Sequence, residues 1–170
     1  MNSLKILLPA LIVCLILQGT HAFAAGRLKV TETGVLNADA DEVWSLIGDF
    51  GGLPNWIPGI ASSTMQGSPT DAGSTRTLTV GNGFQITEAL VDYSAAERSY
   101  SYVVIGGVGG NIKNYLSTLR VEPTGAGSSR VIWSATFDPV EGITDAAAIE
   151  GTSNIYKGAI EGLKKKINME

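Results

Sequence analysis

The chain is poorest in the side chains that do most enzyme chemistry. It has one cysteine and one histidine in 170 residues, Cys14 and His21, and both fall within the first 25. Beyond that point disulfides, thiol nucleophiles, Cys/His zinc sites, Ser–His–Asp triads and imidazole acid–base catalysis are excluded, because each needs a group the chain does not carry there. Basic residues are also scarce, with 12 Lys and Arg against 16 Asp and Glu. An acidic surface argues against nucleic acid and anionic membranes as partners. Long apolar runs are missing as well: the longest, Ile6 to Leu17, falls short of the roughly 20 residues of a membrane span, so no stable membrane insertion is expected.

That short run has another reading. Met1 to Lys5 is a basic start, the apolar run follows, and Ala22-Phe23-Ala24 is a small-x-small cleavage pattern. Residues 1–25 therefore read as a cleaved secretory signal peptide, with cut sites after Ala24 or Ala25, and residues 26–170 as one soluble domain, periplasmic or secreted. Lipidation at Cys14 is not expected, since Val13 stands where a small residue is wanted. Loss of Lys5 makes the exported chain slightly more acidic still.

Arg27 to Leu36 alternates apolar and polar residues and predicts a strand. Asp39 then reads as a helix N-cap with Glu42 three residues on, ahead of Val43, Trp44, Leu46 and Ile47 at helical spacing. Gly51-Gly52 ends that helix, and Leu53 to Gly59 holds enough turn residues for one further helical turn only. From Ile60 to Phe137 the period becomes two, and turn signals at Gly67–Gly73, Gly81–Gly83, Ala95–Glu97, Gly106–Gly110 and Gly125–Ser128 divide the stretch into six strands. Loops of hairpin length favour an antiparallel meander, since parallel strands need crossover helices. Thr144 or Asp145 caps a last helix reaching about Asn168, with Ile149, Tyr156, Ile160, Leu163 and Ile167 as its inward stripe and Glu150, Asn154, Lys157 and Glu161 facing solvent. The class is α+β: a curved antiparallel sheet must cover one face, and only the C-terminal helix is long enough to do it.

This order, with Val43 to Phe50, Ile86-Thr87-Glu88, Arg98 to Tyr102, Lys113-Asn114-Tyr115 and Val131 to Phe137, resembles the START-like helix-grip superfamily (SRPBCC). More narrowly it is similar to bacterial polyketide cyclase/dehydrase and lipid-transport proteins, and more distantly to plant abscisic acid receptors and birch-pollen allergens. The resemblance implies a seven-stranded sheet wrapped around the last helix with an apolar cavity between them. It places Glu88, Tyr102, Tyr115, Ser117 and Asp138 inward, with Ile155 and Ala159 contributed by the helix. The receptors' ligand-anchoring lysine has no counterpart around Ile57-Pro58, so a carboxylate hormone held by a lysine is not supported.

Glu88 shares a strand face with Ile86 and Leu90, because successive side chains alternate. In an apolar cavity it would be a polar anchor for a ligand, with Tyr102, Tyr115 or Ser117 as hydroxyl donors; the alternative is a solvated carboxylate between half-exposed aliphatics, or an ion pair whose partner only the strand register can name. Tyr102 and Tyr115 offer a large apolar wall with one hydroxyl each. Trp44, Trp56 and Trp133 read as core or cavity wall, Trp56 being the one placed in a turn-rich segment that a ligand could touch. Gly106 to Gly110 lacks the G-x-G-x-x-G spacing and the strand-to-helix turn of a phosphate loop. Gly151, Gly158 and Gly162 form a stripe of small residues on the last helix, which either leaves room for cavity volume or a close loop or is a tolerated surface stripe. No metal site and no cofactor is expected.

These readings favour an exported protein that holds a small hydrophobic molecule or lipid without changing it. A second class is a cofactor-free cyclase in which Glu88 or Asp138 moves a proton and a tyrosine holds an enolate oxygen. A third is an accessory protein that binds a periplasmic oxidoreductase, as in the exported relatives associated with methanol oxidation.

Overall fold

The computed structural model describes residues 26–107 and 110–169. Cys14, His21 and the cleavage pattern lie outside the described residues, as do Val108 and Gly109 of the Gly106–Gly110 turn signal. The chain runs β1 (Leu28–Leu36), α1 (Ala40–Ile47), a 3₁₀ turn (Leu53–Asn55), β2 (Ile60–Gln66), β3 (Thr75–Val80), β4 (Gln85–Ser94), β5 (Ser99–Gly107), β6 (Ile112–Gly125), β7 (Ser128–Pro139) and α2 (Asp145–Ile167). The strands form one antiparallel sheet in the order β1-β7-β6-β5-β4-β3-β2. Six of them follow one another through hairpins, and β1 closes against β7, its register running from Leu28 opposite Phe137 to Leu36 opposite Ser129.

The concave face carries the core: Leu119 and Val121 from β6, Val131 and Phe137 from β7, with Val43 and Ile47 of α1 covering one end. The long helix lies over β1 and β7 rather than across the middle of the sheet. Gly34 makes that approach close, since a Cβ there would stand 2.2 Å from Cγ2 of Ile160. Because the helix covers one half of the face, the half made by β3 to β6 is left to enclose a cavity.

Two local expectations are corrected. Ile149 is 38% exposed, and the inward face of α2 runs through Ala148, Thr152, Tyr156, Ala159, Ile160 and Leu163 instead. A position one residue away is rotated by about 100°, so a face centred on Ala148 and Thr152 carries Ile149 outward. Asp39 does occupy the N-cap of α1, but its side chain caps nothing in the helix; Oδ1 accepts the Gly127 amide at 2.9 Å, tying the helix start to the β6–β7 turn. Thr144 caps α2 as expected, its hydroxyl accepting the Ala147 amide at 3.2 Å. Of the small-residue stripe, Gly162 meets Pro58, whose Cδ a Cβ would approach to 3.1 Å, while Gly151 and Gly158 face open space.

Candidate functional site

Between α2 and the uncovered half of the sheet lies a cavity of about 170 Å³. Leu78 of β3, Ile86 and Glu88 of β4, Tyr102 and Val104 of β5, Ile112 and Tyr115 of β6 and Trp133 of β7 form its sheet side. Thr152, Ile155 and Tyr156 close it from the helix, and Leu53, Ile57 and Ile60 from the segment around the 3₁₀ turn. A bulge makes one wall. Asn114 has φ 52°, and the β6–β7 register slips there, from Lys113 opposite Asp138 to Leu116 opposite Thr136. The extra residue lets Ile112 and Tyr115, three positions apart, both face the cavity, which simple alternation forbids.

At the β3–β4 end the period of two that brings Glu88 inward does the same for Arg76, which stands directly opposite in the register. Arg76 is fully buried, and its Nε donates to Glu88 Oε2 at 2.6 Å. Its Nη1 donates to the Phe50 carbonyl, and the guanidinium lies 4.0 Å from the Phe50 ring centroid and 4.8 Å from that of Tyr102. Burial raises the Glu88 carboxyl above its ordinary range, against the opposing charge and hydrogen bond of Arg76. Burial works to lower the Arg76 guanidinium, but Glu88 together with the neighbouring Tyr100 and Tyr102 holds the cation above its ordinary range.

At the opposite end a chain of hydroxyls crosses from sheet to helix. Tyr102 Oη lies 3.4 Å from Tyr115 Oη, which makes a close hydrogen bond to Tyr156 Oη, itself 3.0 Å from Ser117 Oγ. Ser117 donates to the Ser134 carbonyl at 3.0 Å and accepts the Trp133 indole N–H at 3.0 Å. The Trp133 and Tyr156 rings stack, with centroids 4.4 Å apart and planes 8° from parallel. Burial raises all three tyrosine hydroxyls well above their ordinary range, so each keeps its proton at any physiological pH.

The expected site residues fall into three groups. Glu88, Tyr102, Tyr115 and Ile155 border the cavity, Ile155 at its mouth with 67% exposure. Ser117 and Ala159 are buried behind that lining, and so is Trp56, whose ring packs 5.8 Å from that of Trp133. Asp138 is the correction: it lies outside the cavity at the sheet margin, accepting the Arg27 amide at 3.0 Å and Asn114 Nδ2 at 2.8 Å. Those bonds hold its carboxyl below the usual range, the state of a tied surface acid rather than of a proton donor. Glu88 is corrected too. Its partner is Arg76 and not the hydroxyls of Tyr102, Tyr115 or Ser117, which bond to one another and to α2. Arg76, Thr152 and Tyr156 are the residues sequence reasoning missed as site residues. Among the described residues no three His, Cys, Asp or Glu side chains group as metal ligands, and no helix is long and apolar enough to cross a membrane.

Solved structures place this arrangement among known folds. The chain is similar to the protein XoxI from Bacillus cereus, at 33% identity and TM-score 0.75 over 82% of this chain and 94% of that one. An uncharacterised protein from Bacillus thuringiensis matches at 32% identity and TM-score 0.76, over 82% and 98%. A START superfamily protein from Mycobacterium smegmatis shares the fold at 16% identity, with TM-score 0.70 over 83% and 97%. No curated protein matches the chain. Residues 27–168 match the family described as polyketide cyclase / dehydrase and lipid transport, and with nearly all of the described structure inside that match, the chain belongs to this family.

Proposed function

We propose that this protein is exported and holds a small hydrophobic molecule in the helix-grip cavity without transforming it. The observation that carries the reading is the cavity itself: its lining is aliphatic and aromatic apart from Glu88, Thr152 and the tyrosine hydroxyls. Size narrows the occupant. A dry engineered cavity of about 150 Å³ takes benzene, so 170 Å³ suits a single ring or a short branched chain. A two-chain lipid would have to displace Ile155 and the Ile57–Ile60 segment.

A cyclase-like reading finds support in Glu88, a carboxyl pushed upward inside an apolar cavity. Against it stands Arg76, a fixed cation that holds Glu88 Oε2 and opposes proton uptake. Asp138, the other acid considered, is outside the cavity. Organic extraction of protein purified from its native host, followed by mass spectrometry, should release a small unchanged molecule. Intact mass of the same sample should lack residues 1–24 or 1–25. Absence of any retained molecule together with no binding of small apolar probes would remove the ligand-holding reading; a mass that keeps Met1 would remove export.

A further inference from the structure

The proton count along the hydroxyl chain decides what kind of ligand the cavity can recognise. Each hydroxyl carries one proton and can accept twice. If Ser117 donates to the Ser134 carbonyl, then Tyr156 donates to Ser117, Tyr115 to Tyr156 and Tyr102 to Tyr115, and the Trp133 N–H ends on Ser117. Every contact is satisfied. The reverse direction needs Ser117 to turn its proton to Tyr156, and the bond to Ser134 is then lost, so the first arrangement holds one hydrogen bond more.

In that arrangement the hydroxyl protons at the cavity are all spent inside the protein. Thr152, the remaining hydroxyl on the lining, gives its proton to the Ala148 carbonyl at 3.0 Å. Arg76 Nη2 and Trp56 Nε1 are buried donors without partners, but neither residue borders the cavity. What remains for a ligand is lone pairs, on the tyrosine oxygens and the Glu88 carboxylate. From this geometry we infer that the cavity selects a small neutral hydrogen-bond donor, an alcohol or phenol, over a ketone, ether or carboxylate of the same shape. An anion would face Glu88 with no free donor to meet it. A cation would be a third buried charge beside a pair that Arg76 already neutralises.

The inference rests on the ligand-holding reading, and the test separates the two. The purified protein is titrated by calorimetry with cyclohexanol, cyclohexanone and cyclohexane, and in parallel with phenol and anisole. Cyclohexanol should bind about tenfold or more tighter than cyclohexanone, as expected for one hydrogen bond to an ionised acceptor, and phenol should exceed anisole likewise. Tyr115→Phe takes away the acceptor of the Tyr102 proton, and Ser117→Ala takes away that of Tyr156; each should release a donor to the cavity and shrink the alcohol-to-ketone ratio severalfold. Cyclohexanone binding as tightly as cyclohexanol to the wild-type protein overturns the inference, as does a ratio unmoved in both variants. Equal binding of cyclohexane and its two oxygenated relatives would overturn it while leaving the ligand-holding reading intact. If no probe binds, the inference falls, and the ligand-holding reading falls with it when extraction also yields no retained molecule.

Discussion

Glu88→Leu is the most informative single change, because its sign depends on whether the carboxylate is alone or paired. An unpartnered buried carboxylate replaced by an apolar side chain of similar size would leave stability unchanged or higher. The structure reverses that expectation. Arg76 is fully buried, and Glu88 is the anion bonded to it, with Nε and Oε2 2.6 Å apart. Removing Glu88 leaves the guanidinium the Phe50 carbonyl and the rings of Phe50, Tyr100 and Tyr102, with no anion. Breaking a buried pair from one side costs about 3–5 kcal/mol, a large part of the roughly 5–15 kcal/mol that holds a domain together. Glu88→Gln keeps the shape and an acceptor oxygen but not the charge, so its cost should be smaller, about 1–3 kcal/mol. Replacing both partners, Arg76→Met with Glu88→Leu, removes the unpaired charge altogether and should come out between neutral and about 1–4 kcal/mol more stable than the wild type. Urea denaturation at neutral pH, followed by far-UV circular dichroism, reads these differences across all four proteins. A Glu88→Leu protein within about 1 kcal/mol of wild type would refute the reasoning, because the cost assigned to the stranded guanidinium would be absent.

Leu163→Ala should cost about 2–5 kcal/mol, since Leu163 is fully buried on the inward face of α2; a loss below 1 kcal/mol by the same denaturation assay would mean that the helix packs on another face. Gly34→Ala should destabilise by about 1–3 kcal/mol through overpacking, and pairing it with Ile160→Val, which removes the Cδ1 but not the clashing Cγ2, should fail to rescue it. Arg27 donates to Asp145 and holds its carboxyl below 3.8, and the Arg27 backbone amide with Asn114 does the same for Asp138. A lowered folded pKa gives stability that is complete above the unfolded value and is lost as pH falls through the folded one, so the melting temperatures of wild type and Asp145→Asn should differ above the ordinary carboxylate range and converge as pH falls through the lowered folded value.

The order of elements was legible in the sequence because hairpin turns and a switch of period from 3.6 to two are local signals. Glu88's inward direction was legible for the same reason. Its partner was not: Thr75-Arg76-Thr77-Leu78 alternates so as to place Arg76 with Leu78 on the core side, but only the register of β3 against β4 brings Arg76 opposite Glu88 rather than elsewhere along the strand. Tyr156 was legible as an inward helix residue and not as a site residue, since its role depends on Ser117, 39 positions away. Alternation along β7 turns Trp133, Ala135 and Phe137 inward and Asp138 to the opposite face, where the Arg27 amide and Asn114 hold its carboxylate at the sheet margin. The inward stripe of α2 differs from the sequence expectation at its start, because the large aliphatic Ile149 turns outward there. Where a helix passes over a cavity, the inward positions are small or polar, as Ala148 and Thr152 are.

The charged pair and the hydroxyl chain meet at one side chain. The Tyr102 ring lies under the Arg76 guanidinium, and its hydroxyl leads into Tyr115, Tyr156 and Ser117. Tyr102 is therefore fixed from both ends, by a cation that stays charged and by a chain whose protons run toward the Ser134 carbonyl. Stabilising an enolate or other oxyanion needs donors aimed at the place where negative charge develops. Here the donors point away from the cavity, and turning them round means rotating Ser117 off Ser134 and giving up a bond inside the core. Recognition of a donor needs no such rearrangement, because the lone pairs already face the ligand. On these grounds the direction of the hydrogen bonds supports the proposed holding of a donor ligand, which the identity of the lining residues alone would not reveal.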